Sequence, residues 1–113
     1  MKYIKKYKIL ESLFQEIGVF EMDQVSIIPY TSGMLGKILN LVRGKGWREP
    51  TNGSLSSNGK WLHLFRGGND QIQVGMDSDD YFYVEYMADY LHGILQHYKC
   101  DGLEGLSELL DKL

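Results

Sequence analysis

Three histidines, one cysteine and a run of carboxylates threaded with tyrosines are the residues of this chain with chemistry to offer. The histidines are His63, His92 and His97, and the cysteine is Cys100. His97-x-x-Cys100 is a close pair of the kind that ligates zinc or activates a thiolate. A tetrahedral zinc site needs two further ligands, and no second pair completes it. A thiol nucleophile needs a base and an oxyanion site, which no local motif supplies. Cys100 therefore reads as a small apolar residue at a strand end. No catalytic residue, metal or cofactor is assigned, and the chain is read as a non-enzyme.

The carboxylates are Asp77, Asp79, Asp80, Glu85 and Asp89, interleaved with Tyr81, Tyr83, Tyr86 and Tyr90. Their spacing does not match a calcium loop, which needs a turn glycine and a distal glutamate. Acid–base catalysis by paired carboxylates would need a pocket, and none is implied. The ordinary reading is a solvated hairpin turn, with some of the rings in the core. The sharper reading is a surface for a basic protein partner, because aromatic anchors and a charged rim suit protein interfaces. The candidate partner-binding residues are Asp77, Asp79, Asp80, Tyr81, Tyr83 and Glu85.

Two sets of cations stand apart from these acids. Lys2, Lys5, Lys6 and Lys8 lie close together, and Lys37, Arg43, Lys45 and Arg48 form a second group. They fall on several helical faces, so a solvated surface is the better reading than a nucleic-acid site. Gly44-x-Gly46 and Gly67-Gly68 lack the strand–glycine–helix order of a phosphate loop. The net charge is −3 with a pI near 5.5. That balance offers no general pull toward nucleic acid and suits a cationic partner.

The elements that position these residues follow from periodicity. The chain has 113 residues, 43% hydrophobic and 24% charged, which predicts one globular domain over residues 1–113. One cysteine allows no intrachain disulfide. No secretory signal or membrane span is read, so a soluble cytoplasmic protein is expected. Ile4, Tyr7, Leu10, Leu13, Phe14 and Ile17 predict an amphipathic helix over 2–17. A second helix is predicted after Ser32 as N-cap, with Met34, Leu35, Ile38, Leu41 and Val42 as its apolar stripe. Gly36 inside it either costs helix propensity or permits close packing. Residues 48–59 form the clear loop, the part expected to be most mobile.

The second half reads as a β-meander. Trp61, His63 and Phe65 alternate with Leu62 and Leu64. Ile72, Val74 and Met76 share a face, as do Phe82, Val84 and Tyr86. Gly67–Asp70 and Asp77–Asp80 supply the turns. Residues 88–93 fit strand or helix, and Ile94–Cys100 is favoured as a fourth strand. Asp101 and Glu104 read as a capping box for a C-terminal helix burying Leu103, Leu106, Leu109 and Leu110. The expected fold class is α+β, an antiparallel three- to four-stranded meander with helices on one face, in the order ααββββα.

The run Tyr98-Lys99-Cys100-Asp101-Gly102-Leu103-Glu104-Gly105-Leu106, with Tyr81-Phe82-Tyr83-Val84 and Gly46-Trp47, resembles small bacterial immunity proteins of contact-dependent growth-inhibition and other polymorphic toxin systems. The resemblance covers about the last third of the chain and one dipeptide. It implies a cytoplasmic inhibitor that binds a cognate toxin domain, often a nuclease, by stoichiometric contact. The alternative is a small regulatory or nucleic-acid-associated binding module. No membrane contact is expected and no homo-oligomer is predicted, although an edge strand offers a place for one.

Overall fold

A computed structural model describes residues 13–21, 23–88 and 94–113. Its elements are β1 (Phe14–Ile17), α1 (Ser32–Gly44), β2 (Leu62–Arg66), β3 (Asp70–Met76), β4 (Tyr81–Ala88), β5 (Ile94–Asp101) and α2 (Gly102–Lys112). The strands form one five-stranded sheet in the order β1-β5-β4-β3-β2, antiparallel throughout. The α+β class holds, with one more strand than expected and the described order βαββββα.

The register explains which side chains meet. Leu62 and Leu64 pair with Val74 and Ile72, which pair in turn with Val84 and Tyr86. Phe82 and Val84 face Cys100 and Tyr98 across the β4–β5 ladder. All of these are buried, together with Ile38 and Val42 of α1 and Leu106, Leu109 and Leu110 of α2. Both helices thus bury into the same core. Period-two alternation along each strand places Tyr81, Tyr83 and Glu85 on the opposite face.

Three local expectations are corrected, and one alternative is decided. Residues 14–17 of the predicted first helix form strand β1, and residues 2–12 lie outside the described residues. The helical spacing of Leu13, Phe14 and Ile17 yields to pairing with β5, where Phe14 lies opposite Cys100 and Ile17 opposite His97. Tertiary pairing overrides local periodicity there. The α1 cap is Thr31, whose hydroxyl accepts from Met34 N (3.2 Å), with Ser32 already helical. Asp101 caps α2 by position but makes no side-chain cap bond, so the capping box does not form. A Cβ at Gly36 would meet open space, so of the two readings of that glycine the propensity cost stands and the close packing does not.

The loop of residues 48–59 runs along the outer edge of β2. Arg48 N and Phe65 N donate reciprocally to Phe65 O and Arg48 O (2.8 and 3.0 Å). His63 N donates to Ser54 O (2.7 Å), and Ser56 N to Trp61 O (2.8 Å). These bonds occupy an edge that would otherwise invite strand addition.

Candidate protein-binding face

The β3–β4 turn is built by one carboxylate. Asp77 Oδ1 accepts from Asp79 N (2.9 Å) and Tyr81 N (3.1 Å), the pattern of an Asx turn. Asp80 takes φ 66°, a left-handed conformation that aspartate tolerates better than most residues. Asp77 is therefore half-buried and structural, while Asp79 and Asp80 project into solvent.

From this turn β4 carries Tyr81, Tyr83 and Glu85 along the face away from the helices, each half-buried. Neighbouring β5 completes the surface. Asp101 lies opposite Tyr81, Lys99 opposite Tyr83 and His97 opposite Glu85. The Lys99 ammonium sits 4.3 Å from the Tyr81 ring centre and 5.7 Å from that of Tyr83, within cation–π reach of both. Phe20 meets Tyr83 edge-on, 6.0 Å between centroids.

Glu85 has a different role from the turn acids. Its Oε2 accepts from His97 Nε2 at 3.1 Å, with the His97 side chain fully buried and the Glu85 side chain 19% exposed. The Phe20 ring covers His97 at 4.1 Å between centroids. Glu85 is thus tied into the wall of the face and is no open rim charge. His97 Nδ1 is buried without a hydrogen-bond partner among the described residues.

The six candidates therefore divide. Tyr81, Tyr83, Asp79 and Asp80 form one contiguous surface, Asp77 shapes it, and Glu85 is held by His97. Tyr86 lies in the core and donates to Asp70 Oδ2 at 3.3 Å. Asp89 and Tyr90 lie outside the described residues. Sequence reasoning passed over Asp101, Lys99 and Phe20. In the sequence Asp101 reads as a helix cap, and the residues around Phe20 show no period to place them.

His97 and Cys100 do not converge. They are three positions apart on one strand, so their side chains emerge on opposite faces. Cys100 is buried against Phe14 and Phe82, and burial pushes its thiol up to about 12. Burial also raises the phenols of Tyr30, Tyr86 and Tyr98. For each group the folded chain keeps its proton at a pH where the unfolded chain has begun to lose it. Between about pH 9 and 12 the unfolded state binds fewer protons, so stability is present below that window and falls through it. Urea midpoints measured from pH 8 to 11 are expected to decline, and to decline less steeply in Cys100→Ala. A flat profile would show these groups to be solvated.

Several of the described cations are engaged, while Lys37, Lys60 and Lys112 make no ion pair among the described residues. Arg43 donates to Glu49 Oε2 (2.6 Å), and this bond holds the Glu49 carboxyl below its usual range. Lys45 pairs with Asp111 (2.5 Å), and Arg66 with Asp70 (3.1 Å). Arg48 reaches the Gly67 carbonyl at 3.5 Å. Lys2, Lys5, Lys6 and Lys8 lie outside the described residues. No group of three or more histidine, cysteine, aspartate or glutamate side chains is arranged for a metal among the described residues. No helix among them is long and apolar enough to cross a membrane. Comparison with protein-family models, with curated proteins and with solved structures finds no match to this chain.

Proposed function

We propose that this chain is an immunity protein that binds and neutralises a cognate bacterial toxin domain, a nuclease, by stoichiometric contact in the cytoplasm. The observation that carries the reading is the continuity of exposed carboxylates with half-buried tyrosine rings on the face opposite the helices. Asp79, Asp80 and Asp101 are exposed, and Tyr81 and Tyr83 lie between the turn and the body of the sheet. Nuclease clefts are cationic because they hold phosphate. An acidic rim speeds encounter with such a cleft and selects against other surfaces. Rings at its centre supply retention once water is excluded. The likeness of residues 98–106 and 81–84 to immunity proteins points the same way. For the alternative, a nucleic-acid-associated module, Arg43 and Lys45 are paired with carboxylates, while Lys37 and Arg48 of the same group are exposed without an ion pair among the described residues.

The test is charge reversal at two residues whose side chains do not build the turn. Asp79→Lys with Asp101→Lys is expected to weaken binding to the toxin domain encoded beside this chain at least about tenfold, or about 1.4 kcal/mol. The loss should shrink as salt rises, because exposed charges are screened. Calorimetry that returns the parental affinity for the double variant would remove this surface from the account.

A further inference from the structure

The cation resting on the two tyrosines points to what the partner brings. Lys99 lies directly opposite Tyr83 in the ladder, yet its ammonium is nearer the Tyr81 ring, 4.3 Å against 5.7 Å. It reaches diagonally along the sheet toward the acidic turn. Around it stand Asp101, opposite Tyr81, and Asp79 and Asp80 at the strand entry. Among the described residues one ammonium does not neutralise these three exposed carboxylates, and the negative excess they leave attracts a second cation.

We propose that Tyr81 and Tyr83 form a receptor for an arginine of the protein partner, and that Lys99 occupies it in the free chain until the incoming guanidinium displaces it. The proposal rests on the reading of this end as a protein-docking surface and deepens it by naming the side chain received. Lys99 is half-buried, and an ammonium on a ring at such a surface is held only weakly. A guanidinium is better suited to the same place. It is planar, so it stacks on a ring, and its fork of N–H donors bonds a carboxylate in two places at once. Asp101 and the turn aspartates are at hand to accept those bonds. The four-carbon stem of Lys99 lets its charge swing back into water, on the side of the exposed Gln15 opposite it in β1. Lys99 also keeps unpartnered cations of other proteins from settling on the rings, which sharpens selection for a partner that presents its arginine in the right place.

The experiment uses acetyl-arginine-amide as the probe and acetyl-citrulline-amide, its neutral isostere, as the control. Proton NMR reads the ε-methylene of Lys99, which the two rings shift upfield in the free protein. The arginine compound is expected to move that signal toward its unstructured value, and the citrulline compound to leave it in place. Lys99→Ala, with the internal occupant removed, should bind the arginine compound about threefold more tightly, and Tyr81→Leu should abolish the response to it. A Lys99 signal indifferent to arginine, equal movement by citrulline, or no tightening in Lys99→Ala would each overturn the proposal. The toxin measurement reads separately. Neutralisation without Lys99 displacement removes the receptor and leaves the docking surface, whereas displacement without neutralisation keeps the receptor and removes the immunity reading.

Discussion

Changing Gly105 to alanine is expected to lower the melting temperature by about 8 °C, while the same change at Gly36 raises it by about 4 °C. Both glycines lie inside helices, where alanine is intrinsically better by about 1 kcal/mol. The difference is what each Cβ would meet. At Gly36 it would meet open space, so only the propensity gain remains. At Gly105 it would fall 2.5 Å from the carbonyl oxygen of Leu13 and 3.2 Å from the carbonyl carbon of Cys100. Both are backbone atoms, one just ahead of β1 and the other in β5, and neither can rotate away. Leu13 O already accepts from Asp101 N at 2.8 Å, the bond that joins the N-terminal strand to the start of α2. Relief would require α2 to lift from β1 and β5, loosening Leu106, Leu109 and Leu110 in the core. Overpacking of this kind costs up to about 3 kcal/mol, so about 2 kcal/mol of net loss remains after the helix gain. Melting curves of the two variants check this, and a stabilised Gly105→Ala would mean that α2 does not sit where this packing requires.

Removing both rings from the proposed docking face, with Tyr81→Ala and Tyr83→Ala together, is expected to weaken toxin binding at least about a hundredfold, or about 2.7 kcal/mol. Tyrosines are over-represented among the few residues that dominate interfaces, and single truncations there often cost about 2 kcal/mol or more without adding up. Tyr81 and Tyr83 are half-buried in the free chain, so much of the entropy of ordering them has already been spent before a partner arrives. Their removal should leave the helix-covered side intact, because Phe82, Val84 and Tyr86 point the other way and hold the core. A native circular dichroism spectrum with parental toxin affinity would show that the partner docks elsewhere.

The central meander was readable because each strand alternates cleanly and each turn carries its own chemistry. Leu62 and Leu64 against His63 and Phe65, or Phe82 and Val84 against Tyr81 and Tyr83, can satisfy burial on one face in one register only. The first strand was not readable. Leu13, Phe14 and Ile17 have helical spacing, and what makes Phe14–Ile17 a strand is pairing with residues 97–100 at the far end of the chain. No local window contains that partner. The site was half legible for a related reason. Tyr81, Tyr83 and Glu85 announce a shared face by their own alternation. That Lys99, Asp101 and His97 join them depends on β5 lying beside β4 in a particular register, across the stretch 88–93 that fits strand or helix equally well. The burial of Glu85 against His97 likewise depends on Phe20, carried by a segment with no period to place it.

Titration of the toxin domain's nuclease activity with this chain tests the account most directly. If the protein works by covering the toxin with its acidic, tyrosine-bearing face, activity falls linearly and reaches zero at one equivalent, and it returns when the complex is dissociated. Loss of activity at a small fraction of an equivalent would mean that the chain turns over the toxin or its substrate, and full activity at several equivalents would mean that it does not bind. Either result contradicts a protein whose work is done by its surface alone.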